Sequence, residues 1–168
     1  VRKSSPVADR PLISVVGLHG GQWFGPQARA ALCDADVLIG SARQFAPLPP
    51  EVCGERIELW GPRDEILDLA EARAQAGQRV CVLASGDPGF FGLARLAAAR
   101  LGAASIAVHP APSSISLAFA RIGTNWEDAL VVSAHGRPLA HAVEAIIGHP
   151  KVAVLVSEDQ PPEALGRA

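Results

Sequence analysis

Short apolar runs alternate along this chain with stretches that carry apolar residues at helical spacing, and glycine or proline stands at almost every junction. Leu12 to Val16, Val37 to Ile39, Val80 to Ala84, Ser105 to His109, Leu130 to Ser133 and Val152 to Val156 are runs of strand length. Val80 to Ala84 is apolar without interruption, as in a strand buried on both faces. Arg56 to Leu59 reads as a weaker strand. Between the runs, Ala28, Ala31, Leu32 and Ala35 fall at i, i+3, i+4 and i+7, one face of a helix that Pro26 opens. Arg63 to Ala76 reads as a charged amphipathic helix stopped by Gly77. Leu93, Leu96, Ala97 and Leu101 line the next helix, ended by Gly102. Ser113 is an N-cap for a helix with Ile115, Ala118, Phe119 and Ile122 on one face. Leu139, Ala142, Val143 and Ile146 give the last stripe, after Pro138. Ser41 to Pro50 reads as a short helical turn and then loop, and Glu158 to Ala168 as loop.

Strands alternating with helices predict an α/β protein with a mainly parallel sheet and helices on both faces. The Pro110 to Pro112 break divides it. Residues 1–11 are expected to be a flexible lead-in, 12–112 an N-terminal α/β lobe, and 113–168 a C-terminal α/β lobe. The second lobe is thin for a self-supporting sheet, so it is expected to be incomplete.

Composition narrows the function. The chain has 168 residues, 49% of them apolar and 19% charged, enough to build a core. Its net charge of −2 leaves no electrostatic footprint for nucleic acid. Cys33, Cys53 and Cys81 have no C-x-x-C spacing, so neither a disulfide framework nor a metal site is expected. Residues 1–11 hold no apolar stretch of the signal-peptide kind, and no apolar run is long enough to span a bilayer. A cytoplasmic protein is expected, with no membrane partner.

In open parallel sheets, ligands bind beyond the carboxyl ends of the strands. Three clusters lie there. Gly17-Leu18-His19-Gly20-Gly21 follows the first strand, where glycine permits close approach of a ligand or positive φ; the same residues suit a plain strand-to-helix turn. It is neither G-x-G-x-x-G nor a P-loop. Ser85-Gly86-Asp87-Pro88-Gly89-Phe90-Phe91-Gly92 places a carboxylate between Gly and Pro after the buried strand. Asp87 can accept hydrogen bonds from a ligand there, or serve only as a turn aspartate. Ser133-Ala134-His135-Gly136-Arg137 sets His135 and Arg137 at a strand end, where an anion could meet them, though an exposed loop would look the same. His19, His109, His141 and His149 lack ligand spacing. No G-x-S-x-G elbow supports a Ser-His-Asp hydrolase. A hydrolase using Asp87 as nucleophile is disfavoured by the lack of other acidic residues in 85–92.

Taken together, the clusters resemble the tetrapyrrole methylase family. Gly17 to Gly21 is similar to its first glycine loop, Gly86-Asp87-Pro88 to its Gly-Asp-Pro turn, and Pro110-Ala111-Pro112-Ser113-Ser114 to its entry into the second lobe. Val37 to Gln44, Ala118 to Gly123, Trp126 to Ala129 and Ser133 to Arg137 resemble one branch. That branch methylates C5 of precorrin-6Y or cobalt-precorrin-7 type substrates, free-standing or as the N-terminal half of a C5,15-methylating, decarboxylating enzyme. The first loop departs from the common Gly-x-Gly-Pro-Gly, with His19 at the second glycine.

The resemblance implies S-adenosylmethionine as methyl donor, bound between the lobes and released as S-adenosylhomocysteine. It implies that Gly17, Leu18 and Gly20 shape the cleft floor. Gly86 and Asp87 then contact the cofactor, with Asp87 also a catalytic candidate, and Phe91 packs near it. Ser113 and Ser114 are implied to hold its methionine part, and Ala134 and His135 its adenosine side. Arg43 and Arg137 are implied to meet carboxylates of a tetrapyrrole substrate. A homodimer is implied, as is a C15-methylating, decarboxylating domain fused or working alongside. Diphthine synthase and a ribosomal RNA ribose methyltransferase share the architecture, and a cofactor-binding lobe without turnover is a further alternative. The lack of basic excess argues against RNA.

Overall fold

The computed structural model describes residues 12–59, 62–134, 138–157 and 160–167. Among them are β1 (Ile13–Leu18), α1 (Gly25–Cys33), β2 (Val37–Gly40), α2 (Ala42–Phe45) and β3 (Glu55–Glu58). Then come α3 (Arg63–Gln75), β4 (Val80–Ser85), α4 (Leu93–Leu101) and β5 (Ile106–His109), with a 3-10 turn at Ala103–Ser105. After them follow α5 (Ser114–Ile122), β6 (Leu130–Ser133), α6 (Leu139–Ile146), β7 (Val152–Leu155) and α7 (Pro162–Leu165). The chain divides between Pro112 and Ser113 into two compact units.

In the first unit the strands form one sheet in the order β3-β2-β4-β1-β5, every pair parallel. Side chains alternate across it, as the pleat requires. Leu38, Cys81, Leu83, Val16 and Leu18 pack with Ala28 and Leu32 of α1 and Phe45 of α2. Val37, Ile39, Val80, Val82 and Ile13 pack on the other face with Leu67 and Ala70 of α3 and Leu93 and Ala97 of α4. The uninterrupted apolar run of β4 thus reflects two covered faces. β3, which reads weakly in the sequence, is the edge strand, and only Ile57 of its four residues joins the core. The end of α3 is fixed by two bonds, Gly77 N–H to Ala74 O at 2.9 Å and Gln78 N–H to Arg73 O at 3.2 Å, a Schellman closure. Arg100 of α4 reaches Asp68 and Glu71 of α3, holding the two helices of one face together.

The second unit holds β6 and β7, parallel and in register from Leu130↔Val152 to Ser133↔Leu155. Lys151 Nζ anchors the turn before β6, donating to Asp128 Oδ1 at 2.6 Å and Asn125 Oδ1 at 3.1 Å. The Phe119 and Trp126 rings stack with centroids 6.5 Å apart. Two expectations are corrected here. Ala118 and Ile122, placed on one stripe with Ile115 and Phe119, are exposed, Ile122 by 69%, since α5 buries only Ile115 and Phe119. The expected loop after Glu158 contains the helical turn α7, because Pro162 in its first turn and Glu163 suit a helix start. None of the described helices is long and apolar enough to cross a membrane.

Candidate functional site

β1 and β4 lie side by side in the sheet, yet their exits diverge. The chain leaving β1 runs to α1 on one face, and the chain leaving β4 runs to α4 on the other. Where neighbouring strands send their connections to opposite faces, a crevice opens beyond their carboxyl ends. Leu18–Gly21 and Ser85–Asp87 stand at that divergence and form the candidate site.

The β1 exit closes at once. His19 and Gln22 exchange both backbone bonds, at 2.9 and 3.0 Å, with Gly20 at φ 57° and Gly21 at φ 81° between them. Two consecutive positive φ values make a type I′ turn. Gly17 serves a different purpose: a Cβ there would stand 2.3 Å from Gly86 O, 2.8 Å from Ala111 N and 2.9 Å from Pro88 Cδ. The exits of β1, β4 and β5 are thus packed backbone to backbone, and Gly86 N–H bonds Leu18 O at 2.8 Å. Leu18 turns its side chain into the core, so only its backbone belongs to this edge.

Asp87 follows. Its Oδ1 accepts from Gly89 N–H at 2.8 Å, which folds the turn. Its other carboxylate oxygen has no hydrogen-bond partner among the described residues. Pro88 is buried, and its carbonyl accepts from Ala94 N–H at 3.0 Å, fastening the turn to the start of α4. Phe91 is the one described non-glycine residue with positive φ, at 54°. Its ring is 41% exposed and meets Phe90 edge-on, centroids 5.0 Å apart. A bulky residue in that region carries strain, and such strain collects where a segment is shaped for a ligand.

Arg43 stands exposed on α2, three residues beyond Gly40 at the end of β2, with no ion pair among the described residues. Gln44 and Ser85, given no role by sequence reasoning, lie at the same edge and are joined at 3.2 Å. The pattern Ser41-x-x-Gln44, the signature of a capping box, was the signal that could have singled out Gln44. At the end of β5, His109 is partly buried, and that burial holds its pKa below the usual histidine value.

In the second unit the Ser113 hydroxyl accepts from Ser116 N–H at 3.0 Å and donates to Ser116 Oγ at 3.2 Å. It is occupied in capping α5, whereas the neighbouring Ser114 is exposed. Ala134 is fully buried, and its N–H bonds Leu155 O at 2.8 Å. His135 and Arg137 lie outside the described residues.

Residues 16–166 match the family model described as Tetrapyrrole (Corrin/Porphyrin) Methylases. The chain belongs to the tetrapyrrole methylases. Within that family it is 38% identical over 141 residues to a precorrin-6Y C(5,15)-methyltransferase, decarboxylating, of Sinorhizobium sp; the match covers 83% of this chain and 34% of that protein. The chain therefore spans about one third of the length of that relative. It is 31% identical over 158 residues to a cobalt-precorrin-7 C(5)-methyltransferase of Salmonella typhimurium, covering 93% of this chain and 76% of the relative. The crystal structure of a cobalamin biosynthesis precorrin-6Y methylase from Archaeoglobus fulgidus superposes with a TM-score of 0.71 at 25% identity, over 94% of this chain and 79% of that one. The parallel α/β architecture is thus that of a tetrapyrrole methylase.

Proposed function

We propose that this chain catalyses S-adenosylmethionine-dependent methylation at C5 of a precorrin macrocycle, of the precorrin-6Y or cobalt-precorrin-7 type, in cobalamin biosynthesis. The observation that carries this reading is the Gly86-Asp87-Pro88 exit, packed against Gly17 at the divergence of β1 and β4. C5 is favoured over C15 because the relative named for C5 alone is matched over 76% of its length. The decarboxylating C15 activity named for the longer relative is assigned to a separate domain, fused or acting as a partner.

The residues present suit the donor. The unpartnered oxygen of Asp87 can accept from hydroxyl or amino groups, and Gly86 brings backbone close beside it. In the second unit, Ser114 and the first amides of α5 suit a carboxylate at a helix N-terminus. When bound, S-adenosylmethionine supplies an electrophilic methyl carbon. The chain then needs neither a nucleophile of its own nor a metal; its task is to hold a ring carbon in line with that methyl. Cys81 fits this picture, since burial pushes its thiol far above the usual range and leaves it an inert core residue. Gly17, Leu18 and Gly20 form the floor, Phe91 packs against the donor, and Ala134 and His135 serve its adenosine side. Arg43 and Arg137 meet substrate carboxylates. Operation as a cytoplasmic homodimer belongs to the same reading; sedimentation of the purified chain tests the dimer by its mass.

The test is titration of the chain with S-adenosylmethionine by calorimetry, then incubation with precorrin-6Y and mass analysis for one added methyl group. Asp87→Ala is expected to weaken donor binding by about tenfold, the worth of one hydrogen bond to a charged group. A folded wild-type chain that ignores the donor defeats the proposal, and an Asp87→Ala chain that binds it normally removes Asp87 from the site.

A further inference from the structure

Gly40 ends β2, and a Cβ there would lie 2.9 Å from Gln44 Oε1 and 3.1 Å from Leu83 Cβ. The missing side chain makes the space in which the Gln44 carboxamide rests. Gln44 Oε1 accepts from Ser41 N–H at 2.9 Å and from Ser41 Oγ at 3.1 Å. A backbone N–H can only donate, so this contact fixes which end of the amide is oxygen. The other end, Nε2, faces Ser85 Oγ at 3.2 Å and must donate to it. The Ser85 oxygen is therefore an acceptor toward Gln44, and its own proton has no acceptor among the described residues. Ser85 is exposed, the last residue of β4, directly before Gly86 and Asp87.

Resting on the function proposed above, we infer that Gln44 is a positioning residue that sets the Ser85 hydroxyl as a donor to a carboxylate side chain of the macrocycle. Two features favour the substrate over the methyl donor. Arg43, beside Gln44, is exposed and without an ion pair among the described residues, so this edge offers donors and positive charge, the chemistry of an anion site. In addition, Ser85 extends the row of Cys81 and Leu83 on the α1 and α2 face, whereas the chain beyond Asp87 runs to the opposite face. Ser85 and Arg43 thus serve the β2 side of the crevice, and Gly86 and Asp87 the other.

The experiment measures precorrin-6Y binding and turnover with the full chain, and S-adenosylmethionine affinity in parallel. Ser85→Ala is expected to raise the precorrin KM about tenfold with donor affinity unchanged, as loss of a hydrogen bond to a charged group would. Ser85→Thr keeps the hydroxyl and is expected within about twofold of wild type. Gln44→Glu still accepts from Ser41 but cannot donate, so the Ser85 proton turns back to it; its KM is expected to match that of Ser85→Ala. In the Ser85→Ala background, Gln44→Glu is expected to add nothing further. Unchanged substrate KM in Ser85→Ala overturns the inference, as does a loss confined to donor affinity. Equal cost of Gln44→Glu in both backgrounds also overturns it, because the added charge would then act without Ser85. A wild-type chain that does not bind precorrin-6Y defeats both this inference and the proposed function; normal wild-type turnover with an indifferent Ser85→Ala defeats this one alone.

Discussion

Gly17→Ala tests whether the site and the fold rest on the same contact. The added methyl would start 2.3 Å from Gly86 O, and ordinary contact begins near 3.4 Å, so the two must part by about 1 Å. Nothing nearby can swing aside, because the neighbours are the Gly86 and Ala111 backbone and the Pro88 ring. Moving Gly86 strains its 2.8 Å bond to Leu18 O, worth about 1 kcal/mol. Overpacking against rigid neighbours adds about 2 kcal/mol. A total near ~3 kcal/mol lowers the unfolding temperature by roughly 10 °C in a chain of this size. Differential scanning calorimetry reads that shift, and titration with S-adenosylmethionine well below it reads the displaced Gly86-Asp87 turn as weaker binding. Gly20→Ala is the control: it has open space around it and only φ 57° to accommodate, a cost of about 1 kcal/mol. If Gly17→Ala melts within about 2 °C of wild type, or no lower than Gly20→Ala, the packing account of this edge is wrong.

Phe91→Gly removes a side chain from a left-handed position, so it is expected to raise stability by about 1 kcal/mol while weakening donor binding, read by melting and calorimetry on the same sample. Ser113→Ala deletes the bond to Ser116 N–H and should cost about 1 kcal/mol in denaturant unfolding. Asp36 accepts from Arg79 N–H at 2.8 Å, and that bond, then the Arg79 side chain, lowers its pKa. Its folded pKa lies below the unfolded one, so its stabilisation is complete at neutral pH and is lost as pH falls through the folded value. The melting difference between wild type and Asp36→Asn should therefore hold at neutral pH and disappear only as the pH falls through the lowered folded value, below the ordinary carboxylate range.

The fold was readable because each face of the first sheet left its own trace. Val37, Ile39, Val80 and Val82 pack on one face and Leu38, Cys81 and Leu83 on the other, and only a doubly covered strand tolerates such runs. Order in the sheet was not readable: nothing in the local pattern says that β4 inserts between β2 and β1, since pairing is a tertiary choice. The candidate site was half legible. Glycine and Gly-Asp-Pro punctuation marked the turns that leave β1 and β4, yet one glycine-rich stretch hid two different needs, close packing at Gly17 and turn geometry at Gly20 and Gly21. Gln44 and Ser85 were invisible as a pair because 41 positions separate them. The stripe through Ile122 misled, because helical spacing says which residues share a face but not how far the neighbouring core extends.

The packing of the three strand exits bears on how a methylase of this kind can change its substrate. At Gly17 the neighbouring Gly86, Pro88 and Ala111 leave no room for a methyl group. A side chain at Gly17 therefore cannot be added without displacing the strand exits around it. Exposed side chains that stand clear of this contact, among them Arg43 and Ser85, escape that constraint. Methyl transfer from a sulfonium asks mainly for position, which the rigid floor supplies. Recognition of a particular macrocycle asks for polar groups set around it, and these belong to the exposed set. Under the proposed function the two demands fall on different residues of the same strand ends, so a change of substrate need not disturb donor binding. Substitutions at Arg43 and Ser85 should therefore move the precorrin KM and leave donor affinity in place, whereas changes at Gly17 should damage both together with the fold.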